Sequence, residues 1–198
     1  MDLHVIFTIG EYAFKRIMTG WFIRMFVGAC ILLLVLLFLG GPEPEKALLE
    51  HRDMAGWLIG LAAMLLVTIM GATEIPRDVD TQVIMILLSK PLTKADVVLG
   101  KFLGLLYVAA FTVLVLTAVS LIGCVGYKLM NLEDVKSGSL LDQNLFQKTV
   151  FNFLQGMLVA AIVILLSTRL NEIPIIFLTA IYVALGFFFM YLRFLLID

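Results

Sequence analysis

Charge is scarce in this sequence. Asp, Glu, Lys and Arg make up 15% of the 198 residues, with 15 acids against 14 bases and a net charge of −1. A chain so nearly neutral has no basic field to draw in nucleic acid, so a nucleic-acid partner is not expected. Histidine is scarcer still: His4 and His51 stand far apart in sequence, which leaves no Ser/His/Asp or Cys/His grouping for nucleophilic catalysis. The two cysteines, Cys30 and Cys124, lie inside apolar runs and read as small packing residues rather than metal ligands. No G-x-x-x-x-G-K-[ST] stretch occurs, so this chain does not itself cradle nucleotide phosphates. No catalytic residue, metal set or bound cofactor is assigned, and an enzyme is not expected. The first apolar run has no A-x-A-like cleavage site after it, which favours a membrane segment over a signal peptide.

What the chain has in abundance is apolar side chain. Hydrophobic residues make up 62% of it and the mean hydropathy is +1.09. A water-soluble fold of this length cannot hide that much apolar surface, whereas a lipid surround accepts it on the outside. A span needs about 20 apolar residues at ~1.5 Å rise each. Five runs qualify, at 21–39, 54–72, 102–125, 150–168 and 173–192, with Gly40, Gly41 and Pro42 closing the first. The expected fold is all-α: one polytopic helical membrane domain over 1–198, with about five spans. The stretches 41–53 and 126–148 read as loops, and 73–101 as a longer polar segment. Apart from Arg24 and Arg193 near span ends, ionisable groups are missing from the spans. That argues against a proton- or ion-coupled carrier and favours lipid-like or amphiphilic cargo.

Orientation follows from Lys and Arg. Lys15, Arg16, Arg24, Arg77, Lys90, Lys94, Lys101 and Arg169 share a side with the N-terminus and outnumber Lys46, Arg52, Lys128, Lys136, Lys148 and Arg193. The N-terminus is therefore expected in the cytoplasm, and the chain in the inner (plasma) membrane. Ahead of the first span, His4, Thr8, Glu11 and Lys15 form one polar helical stripe opposite Leu3, Ile6, Phe7, Ala13, Phe14 and Ile17. Residues 1–18 are expected to lie along the membrane interface, with Gly20 separating them from the span. Gly56 with Gly60, and Gly100 with Gly104, form small-xxx-small pairs that permit close helix approach, within the chain or between subunits.

The segment 73–101 carries the most information. Residues 81–88 are an apolar run too short to cross a bilayer. Pro91 disfavours helix at Lys90, and Thr93 to Asp96 reads as a variant capping box opening a helix that carries Gly100 and Lys101 into the third span. A short apolar helix on a loop either docks in a groove on another protein or packs back on its own bundle, and the residues leave both open.

Glu74, Thr81, the run Leu87-Leu88-Ser89-Lys90-Pro91-Leu92-Thr93-Lys94, and Gly100-Lys101 resemble the signature of type-2 ATP-binding-cassette exporter permeases. The order of an interfacial helix, a span, a short external loop, a second span and this segment is also similar to that family. Asp80 stands where the family usually has Gly, and the family usually has six spans. The resemblance implies a cytoplasmic coupling helix that contacts a separate ABC ATPase subunit through Thr81, Val83, Ile84, Ile86, Leu87, Leu88 and Ser89. It implies loop geometry set by Glu74, Lys90, Pro91, Thr93, Gly100 and Lys101, with Glu74 near the inner mouth and Lys101 anchoring the third span at the interface. ATP and Mg would belong to the ATPase subunit. The further partners implied are a second permease copy or homologous permease, and membrane lipid. A non-transporting anchor or scaffold subunit of a larger membrane complex is the alternative.

Overall fold

The structure is a computed structural model. It describes the backbone of residues 3–39, 44–80, 93–130 and 143–197, and the side chains of 4–37, 53–78, 93, 95–126 and 146–185. Six helices account for nearly all of the described backbone: α1 (Leu3–Thr19), α2 (Trp21–Leu39), α3 (Pro44–Asp80), α4 (Lys94–Met130), α5 (Gln143–Ser167) and α6 (Glu172–Ile197). The fold is the expected all-helical membrane bundle. Among the described residues, Asp53–Asp78, Ala95–Gly126 and Phe146–Ser167 are long and apolar enough to cross a membrane, and α1 with α2 forms a bent pair that can add a fourth crossing. The fifth expected run falls on α6, of which Glu172–Leu185 is the part whose side chains are described, and that part is apolar.

Parts of both expected loops are helical instead, as 126–130 end α4 and 143–148 open α5, and the polar segment begins as helix. Residues 44–53 belong to α3, and residues 73–80 extend the same helix to Asp80. Pro44 occupies the first helical position, where its fixed φ helps and its missing N–H is not needed, and Glu45, Lys46, Ala47, Leu48 and Leu49 are good helix formers. Polarity was the sequence cue for a loop, but a helix that outruns the bilayer is polar at its ends. At 37 residues each, α3 and α4 extend about 55 Å, well beyond a hydrocarbon core of ~30 Å. Pro76 lies inside α3, where a proline removes one backbone donor; packed neighbours make this tolerable in membrane helices.

The core sits where α3, α4 and α5 meet. Leu66, Val67, Leu105, Val108, Val159 and Val163 are fully buried there. At Gly71 an added Cβ would lie 2.7 Å from Val163 Cγ1 and 2.9 Å from Leu105 Cδ1, so all three helices converge on that glycine. A second cluster joins Cys30 and Leu34 of α2 to Ala55, Ile59 and Ala63 of α3 and Val113 and Leu116 of α4. Outward faces remain apolar, with Leu32, Leu114, Phe151, Leu165 and Phe177 exposed as lipid contact requires.

The N-terminal helix turns away from α2 by 68°. Gly20 sits at the corner, its N–H donating to the Ile17 carbonyl at 3.0 Å, and Arg24 Nη2 reaches back to the Thr19 carbonyl at 2.9 Å. Arg24 thus satisfies an open end of α1. The polar stripe stays exposed and carries a Lys15–Glu11 ion pair at 2.8 Å. Ile6, Gly10, Ala13 and Ile17 form the buried stripe, and it packs on α4. There, Gly100 and Gly104 let the backbones nearly touch: a Cβ on Gly100 would fall 2.6 Å from Ile9 Cβ, and one on Gly104 2.7 Å from Ala13 Cβ. Phe14 meets the edges of Tyr107 and Phe111, both at 6.2 Å. Gly56 and Gly60 likewise meet Lys148 and Asn152 of α5. Both glycine pairs therefore serve contacts inside the chain, although their spacing was equally compatible with a subunit interface.

Replacing Gly100 by Ala places a methyl group against the rigid β-branch of Ile9, and overpacking of this kind costs about 1–3 kcal/mol. Thermal unfolding in detergent is expected to show that loss for Gly100→Ala. Gly28→Ala, whose new Cβ would meet nothing within 4 Å, is expected to be neutral or slightly stabilising.

Candidate functional site

Glu74 and Asp78 are four residues apart on α3 and so project from one face. Both are buried, at 6% and 2% exposure, a placement carboxylates reach only when their charge is met. Lys101, itself 5% exposed, arrives from α4. Its Nζ donates to Glu74 Oε2 at 3.1 Å and to the Glu74 carbonyl at 2.9 Å, and it pairs with Asp78 Oδ2. Arg16 arrives from α1, where it lies between the polar stripe and the buried stripe. Its Nη1 donates to Asp78 Oδ1 at 2.6 Å, and its Nη2 pairs with Glu74 Oε2. Two cations thus face two carboxylates, each cation touches both acids, and three helices are tied at one point.

Fixed position accompanies this closed charge balance. The guanidinium fork of Arg16 spans the two carboxylates, and Lys101 bridges the same two from the opposite helix. Close by, Thr73 Oγ1 donates to the carbonyls of Ile69 at 3.2 Å and Met70 at 3.1 Å, a back-bonding pattern that bends helices, one turn before Pro76. The end of α3 is held by ions across the bundle.

The start of α4 is also fixed. Thr93 Oγ1 and the Thr93 N–H donate to Asp96 Oδ2 at 2.7 and 3.1 Å, and the Asp96 N–H donates to Thr93 Oγ1 at 3.3 Å. This is the reciprocal bonding of a capping box, with Asp at the third position. Both flanks of residues 81–92 are consequently rigid: α3 up to its ion cluster, and α4 from its cap through Lys101.

Of the residues singled out from sequence, Glu74 and Lys101 meet in the cluster, Gly100 lies next to Lys101 against α1, and Thr93 caps α4. Lys101 is held inside the bundle by the two buried carboxylates. Thr81, Val83, Ile84, Ile86, Leu87, Leu88, Ser89, Lys90 and Pro91 lie outside the described residues. Sequence reasoning passed over Asp78 and Arg16. The available signals were the i, i+4 acid pair flanking Pro76 and the position of Arg16 off the polar stripe. It also read the spans as nearly free of ionisable groups, whereas Asp78 and Lys101 fall within helices of spanning length.

Residues 10–196, from the middle of α1 to the end of α6, match the family model described as ABC-2 family transporter protein. Comparison with curated proteins returned no match.

Removing one member of a buried ion cluster leaves the others uncompensated, which costs about 3–5 kcal/mol. Lys101→Met is expected to show a loss of that size in denaturant unfolding of the detergent-solubilised chain, with part of it restored when Asp78→Asn is added. Lys15→Ala, which breaks an exposed pair, is expected to leave unfolding unchanged.

Proposed function

Because the chain belongs to the ABC-2 family transporter proteins, we propose that it is the membrane-spanning permease subunit of an ATP-driven exporter, powered by a separate ABC ATPase subunit. Residues 81–89 are the contact with that ATPase, and Lys90-Pro91 is the corner that returns the chain to α4. ATP and Mg bind the ATPase; this chain supplies the moving membrane part. The permease works as a pair, with a second copy or a homologous permease, in the inner membrane with its N-terminus in the cytoplasm. Its cargo is amphiphilic or lipid-like.

The observation that supports coupling is the Arg16–Glu74–Asp78–Lys101 cluster. A loop passes force into a membrane only if its ends do not yield. Here α3 and α4, which flank residues 81–92, are joined to each other and to α1 by charges that cannot separate cheaply in a dry surround. Closure of the ATPases on ATP displaces residues 81–89. The cluster makes α1, α3 and α4 follow as one body, and α5, which packs on α3 and α4, is reoriented with them. The charges within the bundle are paired with one another in the cluster, and the lipid-facing exterior is apolar, which suits amphiphilic cargo better than ions.

Co-purification of the tagged chain with the ATP-binding subunit from its native membrane tests this reading. Leu87→Asp is expected to lose at least nine-tenths of the recovered ATPase, on the order of 1.4 kcal/mol or more in association, while insertion and monodispersity stay normal. Undiminished recovery in that variant would overturn the assigned contact. ATPase recovery with no cargo movement in reconstituted vesicles would favour a scaffold.

A further inference from the structure

At the far ends of α3 and α5, away from the charge cluster, a small recess opens between three helices. Gly56 of α3, Thr117 and Ser120 of α4, and Lys148, Thr149 and Asn152 of α5 line it. Along α3, Gly56 and Glu74 are separated by about 27 Å of helix, close to the ~30 Å hydrocarbon thickness. The recess and the cluster therefore belong to opposite membrane faces.

Thr117 gives the recess its meaning. Thr8, Thr19, Thr112 and Thr179 each donate their hydroxyl to the carbonyl four residues earlier, at 2.7–2.8 Å. Thr117 does not: its Oγ1 is buried without a protein partner and lines the recess. Asn152 is engaged elsewhere: its Nδ2 donates to the Gly56 carbonyl at 3.0 Å and its Oδ1 lies beside Gly60. The volume, ≈ 20 Å³, decides what fits. A water needs about 10–15 Å³ by this measure, so one water enters and a phosphate or sugar does not. At the rim, Lys148 pairs with Asp53, both substantially exposed at 42% and 60%.

We propose that this recess is a water-binding site, in which a water molecule enters beside the Lys148–Asp53 pair and bonds Thr117 Oγ1. The site makes this end of the α3–α4–α5 bundle the weaker one. Buried charges clamp the opposite end, whereas here the helices are joined by the single Asn152–Gly56 hydrogen bond, a replaceable solvent molecule and an exposed pair that screening weakens. Helix separation begins at this face. The inference does not depend on ATP coupling.

The test uses Ag⁺, a thiol-reactive ion of nearly water's size, on the full chain in sealed proteoliposomes. Single cysteines T117C, S120C and T112C are placed in a C30A/C124A background, and blocking is read as lost maleimide labelling after denaturation in SDS. T117C and S120C are expected to be blocked an order of magnitude faster than T112C, and from the face opposite the one that exposes L87C. Equal rates for T117C and T112C, or entry from the face of residue 87, would overturn the proposal. Thr117→Val in the otherwise native chain gives a second reading that needs no cysteine. In a hydrated recess its Tm is unchanged or lower. A higher Tm would mean a dry site with an orphaned hydroxyl, which also overturns the proposal.

Discussion

Two carboxylates on one face of α3 are held inside the bundle by two cations from different helices, and the rest of the arrangement depends on that exchange. Glu74 and Asp78 could not remain charged and buried without Lys101 and Arg16. Arg16 could not reach them if α1 continued straight into α2, and the 68° turn at Gly20 brings it there. Nor could Arg16 join Lys101 at those acids if α1 and α4 were held apart by side chains, and Gly100 and Gly104 remove that obstacle. The sharp corner, the glycine seam and the charges are thus parts of one requirement.

Such a cluster is not chiefly a source of stability. Buried ion pairs often do no better than well-packed apolar side chains, because desolvation offsets much of the attraction. What they add is uniqueness of position. Arg16 and Lys101 share Glu74 Oε2 and take one oxygen each of Asp78, so α1, α3 and α4 have one register relative to one another. For a protein read as passing a push from a short loop into the membrane, a joint that transmits displacement without slipping is more useful than one that is merely strong. The opposite end differs in character: Lys148 and Asp53 are exposed, Asn152 bonds one carbonyl, and a small void remains between the helices. Rigidity at one face and looseness at the other is the asymmetry expected of a bundle that opens toward one side.

Much of this was legible in the sequence. The runs at 21–39, 102–125, 150–168 and 173–192 coincide with or lie almost wholly within helices, because about 20 apolar residues in lipid have no alternative to helix. The Thr93–Asp96 cap and the break at Gly20 were legible for local reasons: each depends on residues within one turn of each other. Residues 44–53, 126–130 and 143–148 were misread as loop, since polarity marks exposure to water and not loss of helix. Asp78 was missed because a lone acid near a span end looks solvated until its partners are known.

Composition and run length alone determined that this chain is a helical membrane protein, and local spacing determined where several helices begin and turn. Those are decisions made by solvent and by neighbours along the chain. Only the tertiary structure decided that Arg16, Glu74, Asp78 and Lys101 form one cluster, that the glycine pairs serve contacts within the chain, and that the Thr117 hydroxyl faces a recess. Each of these joins side chains tens of residues apart, and such pairings follow from the order in which helices pack rather than from periodicity within any one of them.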